Sequence, residues 1–119
     1  MRVALPVWNG RVAPVFDTAG WLMIVDMTAG RERERRLAPL ERGDTPTHRA
    51  RYLAELGVTV LICGAISRPL AGWVSANGAL LIPGVAGPVE EVLRAYLAGR
   101  LAEPGFRMPG SGEGSGETS

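Results

Sequence analysis

The spacing of apolar residues changes partway along the chain, and with it the kind of structure expected. Residues 2–7 (RVALPV) form an apolar run that predicts a strand. Asn9-Gly10 follows as a turn, with Trp8 and Arg11 placed to flank a hairpin. Residues 12–16 (VAPVF) predict a short returning strand, at an edge or irregular, because Pro14 has no N–H to give a ladder. Residues 21–27 (WLMIVDM) predict a third strand, closed by Thr28-Ala29-Gly30. Residues 31–40 (RERERRLAPL) lie between a glycine turn and Pro39, and their dense charges suit a solvent-facing edge strand. A patch for an acidic partner is the alternative use of the same residues.

From residue 44 the period becomes helical. Thr45 can cap and Pro46 suits a first helical position, and Ala50, Leu53, Ala54 and Gly57 keep the i, i+3, i+4, i+7 spacing of one buried face. Residues 58–63 (VTVLIC) are continuously apolar, as in a strand covered on both faces. Ser67 can cap a second helix burying Leu70, Trp73 and Val74. Residues 79–82 (ALLI) predict another short buried strand. Gly87-Pro88 opens a third helix burying Val89, Val92, Leu93, Tyr96 and Leu97. An antiparallel beginning followed by α-β-α-β-α predicts an α/β fold, with helices packed on a mixed, largely parallel sheet. The domain is expected over residues 1–106. Residues 107–119 read as a disordered tail, rich in Gly, Ser and Glu after Met108.

Composition narrows the function. A length of 119 residues suits one domain, and a net charge of +1 gives no electrostatic case for nucleic acid or an anionic membrane. All 13 basic residues are arginine, which removes lysine chemistry. Cys63 is the only cysteine, so no disulfide can form within the chain. The sequence opens without a charged and apolar leader, and no apolar stretch approaches a bilayer span, so a cytoplasmic protein is expected.

Candidate chemistry gathers where parallel strands end, the usual ligand side of open α/β sheets. The loops 63–68 (CGAISR) and 83–87 (PGVAG) each lead from a strand to a helix. Small residues, backbone N–H groups and a helix dipole there suit an anion, with Arg68 adding a donor fork; tight turning is the plainer explanation. No nucleotide fingerprint or G-x-S-x-G elbow is present. Cys63 is either a small core residue or a soft ligand whose thiolate a helix N-terminus would favour. His48, the only histidine, could give one metal bond but no zinc site alone. A Cys63–His48 catalytic pair lacks an obvious third group to orient it. Asp17 and Asp26 fit turn or cap roles, and Trp8 and Trp21 fit core packing or a partner surface.

Taken in order, RVALPVWNGRVAPVFDTAGWLMIVD, LGVTVLICGAISRPL, GPVEEVLRAYLAGRL and FRMPG resemble the dinitrogenase iron–molybdenum cofactor biosynthesis family, which includes NifX and the carboxyl-terminal domain of NifB. The resemblance runs over roughly residues 2–110. It implies a ribonuclease H-like fold with about five strands in a mixed sheet and about three helices. It also implies a non-enzymatic binder or carrier of the iron–molybdenum cofactor, or of its iron–sulfur precursor, working with metallocluster assembly proteins in nitrogen fixation. Many relatives have a histidine where this chain has Val15, and a cysteine where it has Ser111. His48 matches a histidine at the start of the first helix in many relatives and becomes the first metal-ligand candidate, with Cys63 second. Gly64, Ser67 and Arg68 would contact anionic atoms of the guest. A monomer or homodimer without nucleic acid or membrane is expected. The competing reading is a metal-free protein-interaction or regulatory domain on the same fold.

Overall fold

The computed structural model describes residues 1–41 and 43–108; most of the expected tail lies outside them. Strand β1 (Arg2–Trp8) turns at Asn9-Gly10 into β2 (Arg11–Val12), pairing Val7 with Val12 and Trp8 with Arg11. Both turn residues have positive φ (51° and 74°), the conformation an Asn-Gly hairpin needs. Strand β2 ends before Pro14, short of the predicted residue 16. The segment beyond it crosses the sheet end instead, where Val15 bridges Ala65.

Strands β3 (Trp21–Thr28) and β4 (Arg31–Pro39) form the next hairpin, with a register shift at Asp26/Met27. Then follow α1 (Pro46–Glu55), β5 (Val60–Ile62), α2 (Arg68–Ala76), β6 (Leu80–Ile82), α3 (Val89–Leu97) and a 3-10 turn at Pro104–Phe106. Among the described residues the sheet has six strands in the order β4-β3-β1-β5-β6, with β2 added on β1. Pairs β1–β3 and β3–β4 are antiparallel, while β1–β5 and β5–β6 are parallel. The sheet is therefore mixed, as expected, with β2 as the extra strand.

Alternation along β1 sends its side chains to two cores. Ala4 joins Leu22, Ile24 and Leu61 beneath Ala50 and Leu53 of α1 and Leu70 and Val74 of α2. Val3 and Leu5 join Val25, Val60 and Ile62 against Val89, Val92 and Leu93 of α3. Strand β4 is the charged edge that was expected, with only Ala38 buried.

Several predicted core positions lie outside. Trp73 is 48% exposed and Leu80 58% exposed; Ala54 and Leu97 are exposed as well. Strand β6 ends the sheet order and has a neighbour on one side only, so its apolar run is not enclosed. Apolar spacing identifies a face that can be buried; it does not supply the neighbour that buries it.

Candidate functional site

Strands β5 and β6 end level with each other, β1 runs on past them to pair with β2, and the segment after β2 lies against the loop that follows β5. Ala65 N–H donates to the Pro14 carbonyl at 2.8 Å, and Phe16 N–H donates to the Ala65 carbonyl at 2.9 Å. The contact is close enough to require glycine at residue 64, where a Cβ would stand 2.6 Å from the Pro14 oxygen and 2.8 Å from the Ala13 oxygen. At the start of α2 the Ser67 hydroxyl accepts from Leu70 N–H at 3.3 Å, and the Asp17 carboxylate accepts from Ser67 N–H at 2.8 Å.

Of the groups expected to meet an anion at Gly64, Ser67 and Arg68, the Ser67 N–H is thus taken by the chain's own carboxylate. The second loop is also committed: Val85 N–H donates to Cys63, Ala86 N–H to Phe106 and Val89 N–H to Gly10. Cys63 is fully buried in the core between the sheet and helices α1 and α2. Burial, and secondarily the charge of Asp17, push its thiol up to about 12. The expected help from the helix N-terminus is overridden, and at neutral pH Cys63 is a protonated core residue. Asp26 is separately engaged, paired with Arg2 at 2.6 Å, so Asp17 and Asp26 do not face a common cleft.

His48 lies elsewhere on the same rim. Thr45 caps α1 by accepting from His48 N–H at 3.2 Å, which places the imidazole in the first turn. Its Nδ1 lies 2.8 Å from Oδ1 of Asp44. The imidazole is exposed, whereas the Asp44 side chain is only 9% exposed. An ionised carboxylate only accepts, so Nδ1 is the donor of this pair, and in the neutral ring that leaves the lone pair on Nε2. This is the carboxylate–imidazole arrangement that orients histidine ligands in metal sites.

A hollow of about 250 Å³ lies here, lined by Pro39, Glu41, Asp44, His48 and Tyr52. Pro39 also lines a larger cleft of about 540 Å³ with Trp8, Val15, Thr18, Trp21 and Leu40. That cleft has no charged side chain in its described lining. Trp8 and Trp21 are 63% and 47% exposed. The structure therefore groups His48 with Asp44, Glu41 and Tyr52, apart from Cys63, Gly64, Ser67 and Arg68. Among the described residues no group of three or more His, Cys, Asp or Glu side chains could hold a metal ion, and no helix is long and apolar enough to cross a membrane.

Arg49 is not among the residues that motif or composition singles out. It is 1% exposed, a charged side chain among the largest in the core. Its Nη1 donates to the carbonyls of Phe16 (2.7 Å) and Ala19 (3.0 Å), its Nη2 donates to the carbonyl of Glu41, and the guanidinium lies 5.6 Å from the Phe16 ring centroid. Nε has no hydrogen-bond acceptor among the described residues and faces Oδ2 of Asp44 at 3.8 Å. Burial lowers its pKa, against the opposing charges of Asp44 and Asp17. The available signal was spacing: Arg49, Leu53 and Leu56 fall at i, i+4 and i+7, and an arginine stem can fill an apolar stripe.

Comparison with known proteins supplies the family. The chain is similar in fold to the crystal structure of PH0822, with 22% identity, TM-score 0.78, and coverage of 85% of this chain and 94% of that one. A second similar fold is MJ0327 of Methanocaldococcus jannaschii, with 16% identity, TM-score 0.70, and coverage of 86% and 92%. A third is TM1290 of Thermotoga, described as a candidate NifB protein, with 24% identity, TM-score 0.66, and coverage of 83% and 89%. Among curated proteins none matches significantly. Residues 1–99 match the family described as "Dinitrogenase iron-molybdenum cofactor". With that match spanning most of its length, the chain belongs to the dinitrogenase iron–molybdenum cofactor family.

Proposed function

We propose that this protein is a non-enzymatic carrier of the iron–molybdenum cofactor or its iron–sulfur precursor, with His48 Nε2 as its one protein ligand to metal. Membership of the family associates the chain with the biosynthesis or binding of that cofactor. The observation that carries the reading is the Asp44–His48 pair: an exposed imidazole whose Nδ1 is held at 2.8 Å by a sheltered carboxylate. One imidazole cannot build a metal centre, but it can tether a cluster that brings its own remaining ligands. The uncharged cleft joined to the hollow at Pro39 offers shape rather than charge to such a guest. Cys63 has no place in the binding step, being buried and protonated. The strand order, with β1 central between an antiparallel and a parallel pair, supports the ribonuclease H-like assignment. Cytoplasmic work beside other metallocluster assembly proteins, as a monomer or homodimer, belongs to the same reading.

A specific observation favours the other use of the fold. Trp8 and Trp21 and the outward-facing Leu37 line one shallow apolar depression with Met23, a composition suited to a protein partner. On that reading the domain docks proteins and holds no metal.

Anaerobic titration with the cofactor, and separately with its iron–sulfur precursor, tests the proposal through visible absorbance and co-elution of iron. The wild type should bind saturably. His48→Ala should weaken binding by about 100-fold and Asp44→Asn by about 10-fold, the range expected for a ligand and its carboxylate support. Cys63→Ala should bind like the wild type. Absence of binding to the wild type at micromolar concentration would remove the carrier reading and leave the interaction domain.

A further inference from the structure

We propose that Arg49 is the positioning residue of the His48 site, acting through Asp44 to hold the imidazole with its proton on Nδ1 and its lone pair on Nε2. It touches no guest. Three carbonyls converge on its guanidinium from two separate segments: Phe16 and Ala19 from the segment crossing the sheet end, and Glu41 from the approach to α1. These segments supply the walls of the neighbouring openings: Val15, Thr18 and Ala19 line the larger cleft, and Glu41 lines the hollow. A single buried side chain therefore joins the cleft wall to the His48 rim.

The link to the imidazole runs through charge. Asp44 presents one oxygen to His48 Nδ1 at 2.8 Å and the other to Arg49 Nε at 3.8 Å. The ion pair is sheltered on both sides, with Arg49 side-chain exposure at 1% and Asp44 at 9%, so water screens it little. Neighbouring residues 48 and 49 thus send their side chains in opposite directions, one outward and one into the core, and a single carboxylate spans both. Without the guanidinium, Asp44 would lose the charge that holds it inward and could turn to solvent, freeing the imidazole.

The inference rests on His48 as the ligand only in its affinity arm; the imidazole tautomer is measured without a guest. His48 is the only histidine in the sequence, so its ring nitrogens can be followed by nitrogen-15 NMR without overlap. At about pH 8.5, where an ordinary imidazole is neutral, the wild type should show the Nδ1–H tautomer. Arg49→Met should lose that preference, and Arg49→Lys, which keeps the charge but not the planar fork that aims Nε at Asp44 while Nη1 and Nη2 hold the carbonyls, should lose part of it. Both should also weaken cofactor binding by about 10-fold while His48 and Asp44 stay in the chain. Arg49→Lys keeps a buried cation and carries the measurement if Arg49→Met does not fold. Phe16→Leu is the control for stability alone: it removes the ring beneath the guanidinium, should lower the melting temperature, and should keep the Nδ1–H tautomer. The proposal is overturned if folded Arg49 variants retain the wild-type tautomer, or if Phe16→Leu loses it equally. A wild type with the Nδ1–H tautomer but no affinity for the cofactor would overturn the carrier reading and leave the positioning role standing.

Discussion

At the start of α1 the Thr45 hydroxyl accepts from His48 N–H, and at the start of α2 the Ser67 hydroxyl accepts from Leu70 N–H. Each helix has proline in its first two positions, and each has an aspartate beside the cap. The aspartates are used differently. The Asp17 carboxylate accepts from the N–H of Ser67, the residue that caps α2, at 2.8 Å, and so takes a donor that an external anion would use. Asp44 passes over the backbone of α1 and holds a side chain, the His48 imidazole. A helix N-terminus is open to a ligand only where the chain has not already supplied the anion. The rim of this protein therefore presents an oriented imidazole at one helix and a closed turn at the other.

The largest effect should come from reopening the closed turn by force. Gly64→Ala would drive a methyl against two backbone oxygens, at 2.6 and 2.8 Å, in the segment that carries Asp17. Neither oxygen can swing away like a side-chain end, so the segment must shift. A loss of about 3 kcal/mol is expected, the upper part of the usual range for overpacking. Chemical denaturation checks it. A loss below about 1 kcal/mol would mean that the segment over α2 is loosely held and that the two helix starts differ less than the geometry implies.

Removing the carboxylate itself is gentler and more informative. Asp17→Ala leaves Ser67 N–H without its acceptor and should cost about 1–2 kcal/mol. It also vacates the N-terminus of α2, so inorganic phosphate should raise the melting temperature of the variant more than that of the wild type. An equal response in both proteins would show that the α2 turn is no anion seat even when emptied. The contrast with α1 would then rest on local geometry alone.

The same pair of helix starts shows what could be read from sequence. Asn9-Gly10, Thr45-Pro46 and Ser67 announce their structures because turns and caps are made by residues within a few positions of each other. The charged run of β4 is equally local, since it says which side faces water whatever lies beneath. His48 could be singled out as a lone imidazole, and its partner stands at i−4, within reach of inspection. The Asp17 plug joins residues 50 apart, and Arg49 reaches carbonyls 30 and 33 residues away. No period or motif encodes those distances, so the sequence alone does not show that Asp17 takes the Ser67 N–H or that the sheet and two helices enclose Cys63. Leu80 and Trp73 failed for a related reason, since burial of an apolar face depends on which elements end up beside it.

The smallest effect under ordinary conditions, and the sharpest test of the closed turn, is alkaline. Cys63 titrates at about 12 in the folded protein against an ordinary value of 9.0, chiefly through burial and then through Asp17. Below pH 9.0 the thiol is protonated in both folded and unfolded chains, so its contribution to stability is fully present. Between 9.0 and about 12 only the unfolded chain releases the proton, and stability falls as pH rises. Denaturation midpoints across that window should decline in the wild type, and the part of the decline due to the thiol should vanish in Cys63→Ala. Asp17→Asn should recover only a small part of it, because burial is the larger cause. If Asp17→Asn recovered most of it, the carboxylate at the start of α2 would be acting on the core thiol as well as on the Ser67 N–H. The two helix starts would then differ in the direction their aspartates act, into the core or out to the rim.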